Sequence, residues 1–201
     1  GHATAADLTD WTDHGEVLGP GAAGAFDETA TWTGSVVRGD DGLWRMFYTG
    51  AAFLEASSAR NIESIGMATS ADLHRWDKRD GFVLRAAGEY YEKLGDTAWP
   101  EEAWRDPWVF RDPAGDGWHM LITARGKDAD TATGGVVGHA WSPDLDTWTV
   151  QPPLTEPSQA FAHLEVLQVA DIDGTSVVLF SAVRADEVEG VWAAPADALV
   201  R

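Results

Sequence analysis

An eleven-residue pattern recurs along the chain, and this repeat constrains the fold more than any other feature of the sequence. Its form is Gly-x-Ala-x-x-x-Asp-Leu-x-x-Trp, found at residues 1–11, 66–76 and 138–148. A fourth copy at 190–199 matches this pattern only in part. The copies lie roughly 50 to 70 residues apart, a period typical of repeated structural units. We therefore expect similar units placed side by side.

Between the copies lie apolar stretches that are each interrupted by a turn rich in Gly and Asp, at residues 39–42, 113–117 and 171–174. β-Branched and aromatic runs joined by such turns predict β-hairpins. The Asp-Leu-x-x-Trp end of each copy indicates a turn that leads into an outer strand. Since no stretch has the pattern of a long amphipathic helix, we expect an all-β fold.

Each period holds about four strands, which is the anatomy of a β-propeller blade whose first strand lines a central channel. A β-sandwich is the alternative, but it does not explain strands and turns that recur in equal phase. The predicted blade-like units are residues 12–76, 77–148 and 149–199, within one incomplete propeller domain over 1–201. Three blades and a partial one do not close a ring, so we expect a companion segment or chain to complete it.

The charge of the chain argues against two classes of partner. There are 33 acidic and 14 basic residues, a formal net charge of −19 and a pI near 4.4. Nucleic acids and anionic membranes require a basic surface, so neither is expected as a partner. A neutral carbohydrate is compatible with this balance.

Other classes of site find no support in the composition. The chain has no cysteine, which excludes disulfides and thiolate metal sites, and its six histidines lack the spacing of metal ligands. We expect no metal and no cofactor. No apolar run approaches the roughly 20 residues of a membrane helix. Residues 1–201 contain no signal-peptide pattern, and the cellular location stays open.

Two carboxylates fall near the same phase of neighbouring units. When the hairpins are aligned on their turn glycines, Gly42, Gly117 and Gly174, this phase is occupied by Asp106 and Glu165. If the first strand of each blade lines the channel, both carboxylates point into one cavity. Such a pair suits a glycosidase, because one carboxylate must be ionised to stabilise an oxocarbenium-like carbon and the other protonated to assist the leaving group.

The neighbours of the two carboxylates suggest different roles. Strand alternation places Glu165 on the face of Phe161 and Leu167, and apolar neighbours would disfavour its charged form, as a general acid requires. Arg105 precedes Asp106 directly, and its cation would keep that carboxylate ionised. We therefore predict Glu165 as the general acid/base.

Structural interpretations compete with these functional ones. A second Arg-Asp-Pro tripeptide at residues 111–113 is interpreted as a hairpin turn, which shows that the tripeptide at 105–107 can also be structural. Trp32 and Trp104 precede the predicted channel strands, where each could stack on a sugar face or serve the core. The residues alone leave both alternatives open.

Several motifs, in order, resemble glycoside hydrolase family 32, which contains invertases, levanases and inulinases. Residues 32–35, Trp-Thr-Gly-Ser, and 46–50, Met-Phe-Tyr-Thr-Gly, resemble the Trp-Ser-Gly-Ser and Phe-Tyr-Thr-Gly stretches of that family. Residues 104–108, Trp-Arg-Asp-Pro-Trp, are similar to its Arg-Asp-Pro motif. Residues 163–165, His-Leu-Glu, are similar to its acid/base motif, although Val166 stands where a cysteine or proline is usual.

The resemblance implies a five-bladed propeller and a retaining glycosidase that cleaves β-fructofuranosyl linkages in sucrose or fructans without a cofactor. Glu165 would be the acid/base and Asp106 the transition-state stabiliser. Arg105 and Trp104 would help bind the substrate, and the fructose subsite would be lined by Trp32 and Ser35. The alternatives are a propeller glycosidase acting on arabinose or xylose polymers and a non-catalytic sugar-binding propeller.

One departure from the family pattern concerns the nucleophile. The family uses an aspartate of an Asn-Asp-Pro-Asn motif on the first blade, and no such motif occurs in residues 1–201. No nucleophile is therefore assigned. Two carboxylates of the three can bind a sugar but should not form a fructosyl-enzyme.

Overall fold

The fold is all-β, as the sequence predicts. The computed structural model describes residues 1–113, 115–158, 160–183 and 189–196, and within these ranges it contains fourteen β-strands and no α-helix. No described segment is a helix long and apolar enough to cross a membrane.

The strands form three large sheets in chain order, preceded by a short two-stranded one. The short sheet pairs β1 (His2–Thr4) with β2 (Thr12–Gly15). The first large sheet contains β3 (Ala30–Arg38), β4 (Trp44–Phe53), β5 (Asn61–Ser70) and β6 (Asp77–Lys78), with β7 (Glu101–Glu102) added parallel to the start of β5. The second contains β8 (Trp104–Arg111), β9 (Trp118–Arg125), β10 (Gly135–Ser142) and β11 (Thr149–Gln151). The third contains β12 (Glu165–Ile172), β13 (Thr175–Val183) and β14 (Glu189–Pro195).

The predicted hairpins are confirmed, and the glycines of their turns have positive φ. Asp173 and Gly174 both have positive φ, 52° and 80°, so a two-residue turn of the type favoured between twisted strands joins β12 to β13. The second Arg-Asp-Pro tripeptide does form a turn: the Asp112 N–H donates to the Gly117 carbonyl at 2.9 Å. The third hairpin begins at Glu165 and leaves out Phe161, whose carbonyl accepts from the Gly135 N–H of β10.

The eleven-residue repeat is one hydrogen-bonded turn used three times. At the second copy, one carboxylate oxygen of Asp72 accepts from the backbone N–H of His74 and Arg75, at 2.8 and 2.9 Å. Leu73 has a φ of 68°, and the Trp76 indole donates to the Leu73 carbonyl at 3.0 Å. The same contacts recur at Asp7, Leu8 and Trp11 and at Asp144, Leu145 and Trp148. Each turn leads into an outer strand, as predicted; Asp197 and Leu199 of the fourth copy lie outside the described residues.

The leucine of this turn provides a paired stability prediction. A left-handed backbone is unfavourable for leucine and tolerated by asparagine, and Leu8 is 76% exposed whereas Leu145 is 1% exposed. Leu8→Asn should therefore raise the free energy of unfolding by roughly 0.5–1 kcal/mol. Leu145→Asn should lower it by about 3 kcal/mol or more, because an amide replaces a packed side chain. Urea denaturation of both variants tests this. A free energy of unfolding that changes in the same direction in both variants would contradict it.

The first strands of the three large sheets lie next to one another, in the order β3, β8, β12. The Val109 N–H of β8 donates to the Ser35 hydroxyl of β3 at 3.0 Å, which joins the first two sheets. One apolar core around Phe47, Trp104 and Met120 lies between these sheets, and a smaller one around Leu121 and Leu167 lies between the second and third. This side-by-side arrangement of sheets is that of propeller blades; five blades remains a prediction.

Candidate active site

Each of the three first strands carries a β-bulge at the same level, and the bulges are hydrogen-bonded in series. They fall at Thr33, at Asp106 (φ 56°) and at Val166 (φ 51°). The Thr49 hydroxyl donates to the Thr33 carbonyl and accepts from the Asp106 N–H, both at 2.9 Å. The Val166 N–H donates to the Asp106 carboxylate at 3.3 Å. Asp106 is thus fixed between the first and third sheets.

The register of the bulges differs by one residue from the alignment on turn glycines. Asp106 corresponds to Val166, and Glu165 corresponds to Arg105. The carboxyl groups of Asp106 and Glu165 are nevertheless brought to one cluster, because the longer side chain of Arg105 reaches both.

Arg105 joins carboxylates from all three sheets. Its Nη2 lies 2.6 Å from Glu165 Oε1 of β12, and its Nη1 lies 3.0 Å from Glu63 Oε2 of β5. Nη1 also contacts Glu101 of β7 at 2.8 Å, while Nε lies 3.7 Å from Asp106 Oδ2. One guanidinium therefore faces four carboxylates, and its pKa lies above its usual value because their negative charges outweigh its burial.

Asp106 is the more enclosed of the two predicted catalytic carboxylates. Its side chain is buried, and besides the Val166 N–H its Oδ2 contacts the Thr123 hydroxyl at 3.0 Å. This polar setting holds one face of the carboxylate firmly while Arg105 lies beside it.

The apolar setting predicted for Glu165 is wrong. The bulge interrupts strand alternation, so Leu167 packs into the core between the second and third sheets. Phe161 packs against the same core. The Glu165 side chain is instead 38% exposed and ion-paired with Arg105. Its carboxylate is thus reachable from solvent.

The aromatic and hydroxyl residues predicted to bind substrate have different positions. The stacking role proposed for Trp104 is wrong, because its ring is 0% exposed and packs on Tyr91 with centroids 4.7 Å apart. Trp32 is 39% exposed, with its ring edge-on to Phe53. Ser35 is buried and its hydroxyl is occupied by the β8 backbone.

Sequence reasoning missed Glu63, which is 1% exposed in β5. Burial raises the pKa of its carboxyl to about 7, with Arg105 acting in the opposite direction. An acidic residue within a strand of otherwise uncharged, mostly buried residues is the signal that could have singled it out.

His163 borders the cluster as a neutral ring. Its Nε2 lies 3.3 Å from Glu101, and the ring packs against Trp99. Burial, followed by the cations Arg105 and Arg125, lowers the pKa of His163 to about 2. Across the described ranges, no three or more His, Asp or Glu side chains are grouped to hold a metal ion.

The lowered pKa of His163 predicts that the protein loses stability in acid. The unfolded chain takes up a proton near pH 6.5, its ordinary value, whereas the folded chain does so only near pH 2. The free energy of unfolding should therefore fall as the pH drops below about 6.5. Buried His139, with a pKa lowered to about 4 by burial, acts in the same direction; Glu63, with its raised pKa, acts oppositely between about pH 4.5 and 7.

Denaturation at pH 5, 6 and 7 tests the contribution of His163. His163→Gln should flatten the dependence of stability on pH by up to about 1 kcal/mol per pH unit. Equal slopes for His163→Gln and the unmodified chain would refute the assignment.

Comparison with known proteins extends these observations. A curated relative, sucrose-6-phosphate hydrolase of Pediococcus pentosaceus, is 28% identical over 180 residues, which cover 89% of this chain and 32% of the relative. The inulosucrase of Halalkalicoccus jeotgali superposes with a TM-score of 0.70 at 24% identity, over 91% of this chain and 50% of the other. A variant of the β-fructofuranosidase of Microbacterium saccharophilum K-1 gives 0.70 at 23% identity, over 91% and 44%.

These structural likenesses concern the fold, and the chain spans half or less of the length of each of these proteins. The model of the glycosyl hydrolases family 32 N-terminal domain matches residues 1–193, nearly the whole chain. With the ordered motifs and the three-sheet arrangement, that match places the chain in glycosyl hydrolase family 32, as part of its N-terminal domain.

Proposed function

We propose that the chain forms part of a retaining glycoside hydrolase that cleaves β-fructofuranosyl linkages in sucrose or fructans. The observation that carries this is the cluster in which Arg105 joins Asp106 and Glu165 from adjacent sheets. Family membership and the sucrose- and fructan-related names of the relatives support the substrate class.

In this proposal Glu165 is the general acid and base. It protonates the oxygen of the departing sugar and afterwards takes a proton from the incoming water. Its 38% exposure gives both the leaving group and the water access to the carboxyl group. The hydroxyls of the bound fructosyl unit would replace part of the Arg105 contact and free Glu165 for proton transfer.

Asp106 stabilises the transition state by holding fructosyl hydroxyls as positive charge develops on the sugar ring. Its carboxylate is preorganised by Thr123 and the Val166 N–H, so little reorganisation is needed when the substrate arrives. Trp32 remains available to flank the fructose subsite. Ser35 contributes indirectly, by holding β8 against β3.

The nucleophile belongs to a companion segment or chain outside residues 1–201. The family aspartate motif has no counterpart in these residues. The chain also covers 50% and 44% of the two structural neighbours, which accords with this division.

Fructose release from sucrose, levan and inulin tests the function. We expect release by the longer polypeptide that carries the nucleophile motif, and carbohydrate binding without turnover by residues 1–201 alone. Release of arabinose from arabinan or of xylose from xylan, without fructose release, would assign a different glycosidase. Binding without release by the longer, folded polypeptide would identify a sugar-binding propeller.

A further inference from the structure

We infer that Glu63 is a positioning residue for this chemistry: by holding one end of the Arg105 guanidinium it controls how strongly the other end holds Glu165. This inference rests on the proposed role of Glu165 as acid/base. Glu63 lies on β5, in the first large sheet, and Glu165 on β12, in the third.

The backbone N–H of Trp104 holds Glu63 in place, and Glu63 in turn holds Arg105. Glu63 Oε2 accepts from the backbone N–H of Trp104, the first residue of β8, at 3.1 Å. The same oxygen accepts from Arg105 Nη1 at 3.0 Å, and Oε1 lies 3.3 Å from that nitrogen. A guanidinium is planar and rigid, so holding Nη1 directs Nη2 toward Glu165 at 2.6 Å.

Glu63 acts on Arg105 through its charge as well as through its hydrogen bonds. The groups that face it are Arg105 of β8 and Glu101 of β7, while Asp106 and Glu165 lie on the other sides of the same guanidinium. Because burial raises the pKa of Glu63 to about 7, this carboxyl is neutral in mildly acidic solution and gains its charge near neutrality. Once charged, it competes with Glu165 for the single cation.

The competition has a definite direction. Arg105 favours the ionised form of a carboxyl beside it, and a second negative charge on Glu63 weakens that effect. Ionisation of Glu63 near pH 7 should therefore weaken the contact between Arg105 and Glu165, and kcat/KM should change over the same pH range. Glu63→Gln is uncharged at every pH, so this change should be absent in the variant.

The first test follows the Glu165 carboxyl by ¹³C NMR in glutamate-labelled protein, without substrate. In the unmodified chain its titration curve should show a second inflection where Glu63 itself titrates, near pH 7. In Glu63→Gln this inflection should vanish, because the amide does not ionise. A curve with one inflection in the unmodified chain overturns the inference even if the variant does not fold.

Glu92 offers a matched control, because it is also buried and paired with an arginine, Arg125, at 2.8 Å. Glu92→Gln should lower stability but leave the inflection near pH 7 in place, since its carboxylate does not contact Arg105. Loss of the inflection in both variants would mean that Glu63 acts only through general structure.

The second test uses the pH dependence of kcat/KM in the longer polypeptide. Glu63→Gln should abolish the change in kcat/KM near pH 7, while Glu92→Gln should retain it. Titration coupling in a protein that releases no fructose would support the link from Glu63 to Glu165 and reject the proposed hydrolysis. Fructose release without titration coupling would reject the role of Glu63 alone.

Discussion

Glu165→Gln, made in the longer polypeptide that carries the nucleophile, should reduce fructose release by about 100-fold to 10,000-fold, because the amide has no proton to give to the departing sugar. The fold should be nearly unaffected: the side chain is 38% exposed, and a partly exposed ion pair contributes at most about 1 kcal/mol. The measurement is kcat/KM on sucrose, with circular dichroism to verify folding.

The control for Glu165→Gln is the same change at Glu89, an exposed residue. Glu89→Gln removes one negative charge from the surface and should leave kcat/KM unchanged. A Glu165→Gln variant that keeps more than about a tenth of the activity would assign the acid/base role elsewhere.

Asp106→Asn in the same longer polypeptide should reduce fructose release by about 100-fold to 1,000-fold, because the charge that offsets the developing cation is lost from a preorganised site. Asparagine tolerates the left-handed backbone at φ 56° and keeps an acceptor for Thr123 and the Val166 N–H. Stability should therefore change by less than about 1 kcal/mol. The expected signature is lost turnover in a protein with a nearly normal denaturation midpoint.

Asp128 allows the backbone and the charge to be separated. It is an exposed aspartate with a φ of 59°, close to that of Asp106. Asp128→Asn should change neither stability nor kcat/KM by a measurable amount. If Asp106→Asn behaves in the same way, Asp106 is a structural residue of the bulge.

The repeat carried most of the information about the fold. Asp72, Leu73 and Trp76 are three residues of one local turn, so their pattern is legible in the sequence and predicts where each outer strand begins. The hairpin turns are also formed by residues close together in the sequence, so they could be predicted in the same way.

The site was less predictable because its contacts are long-range. Glu63 and Arg105 are separated by 42 residues, and Arg105 and Glu165 by 60, so no local pattern reports either contact. The bulge residues also change which face a side chain occupies, which is why alternation misplaced the surroundings of Glu165. Trp104 shows the same limit, since an aromatic residue before a strand has the same pattern whether it binds sugar or fills the core.

The three bulges also bear on how such a domain can diverge. Each adds one residue to its strand and shifts the register by one, while antiparallel pairing continues on both sides, so the residue there is released from the ladder of hydrogen bonds. Thr33, Asp106 and Val166 occupy these equivalent places with a hydroxyl, an acid and a hydrocarbon. A duplicated sheet can thus exchange its chemical group at one point while its architecture is inherited unchanged, and new specificity can evolve one sheet at a time.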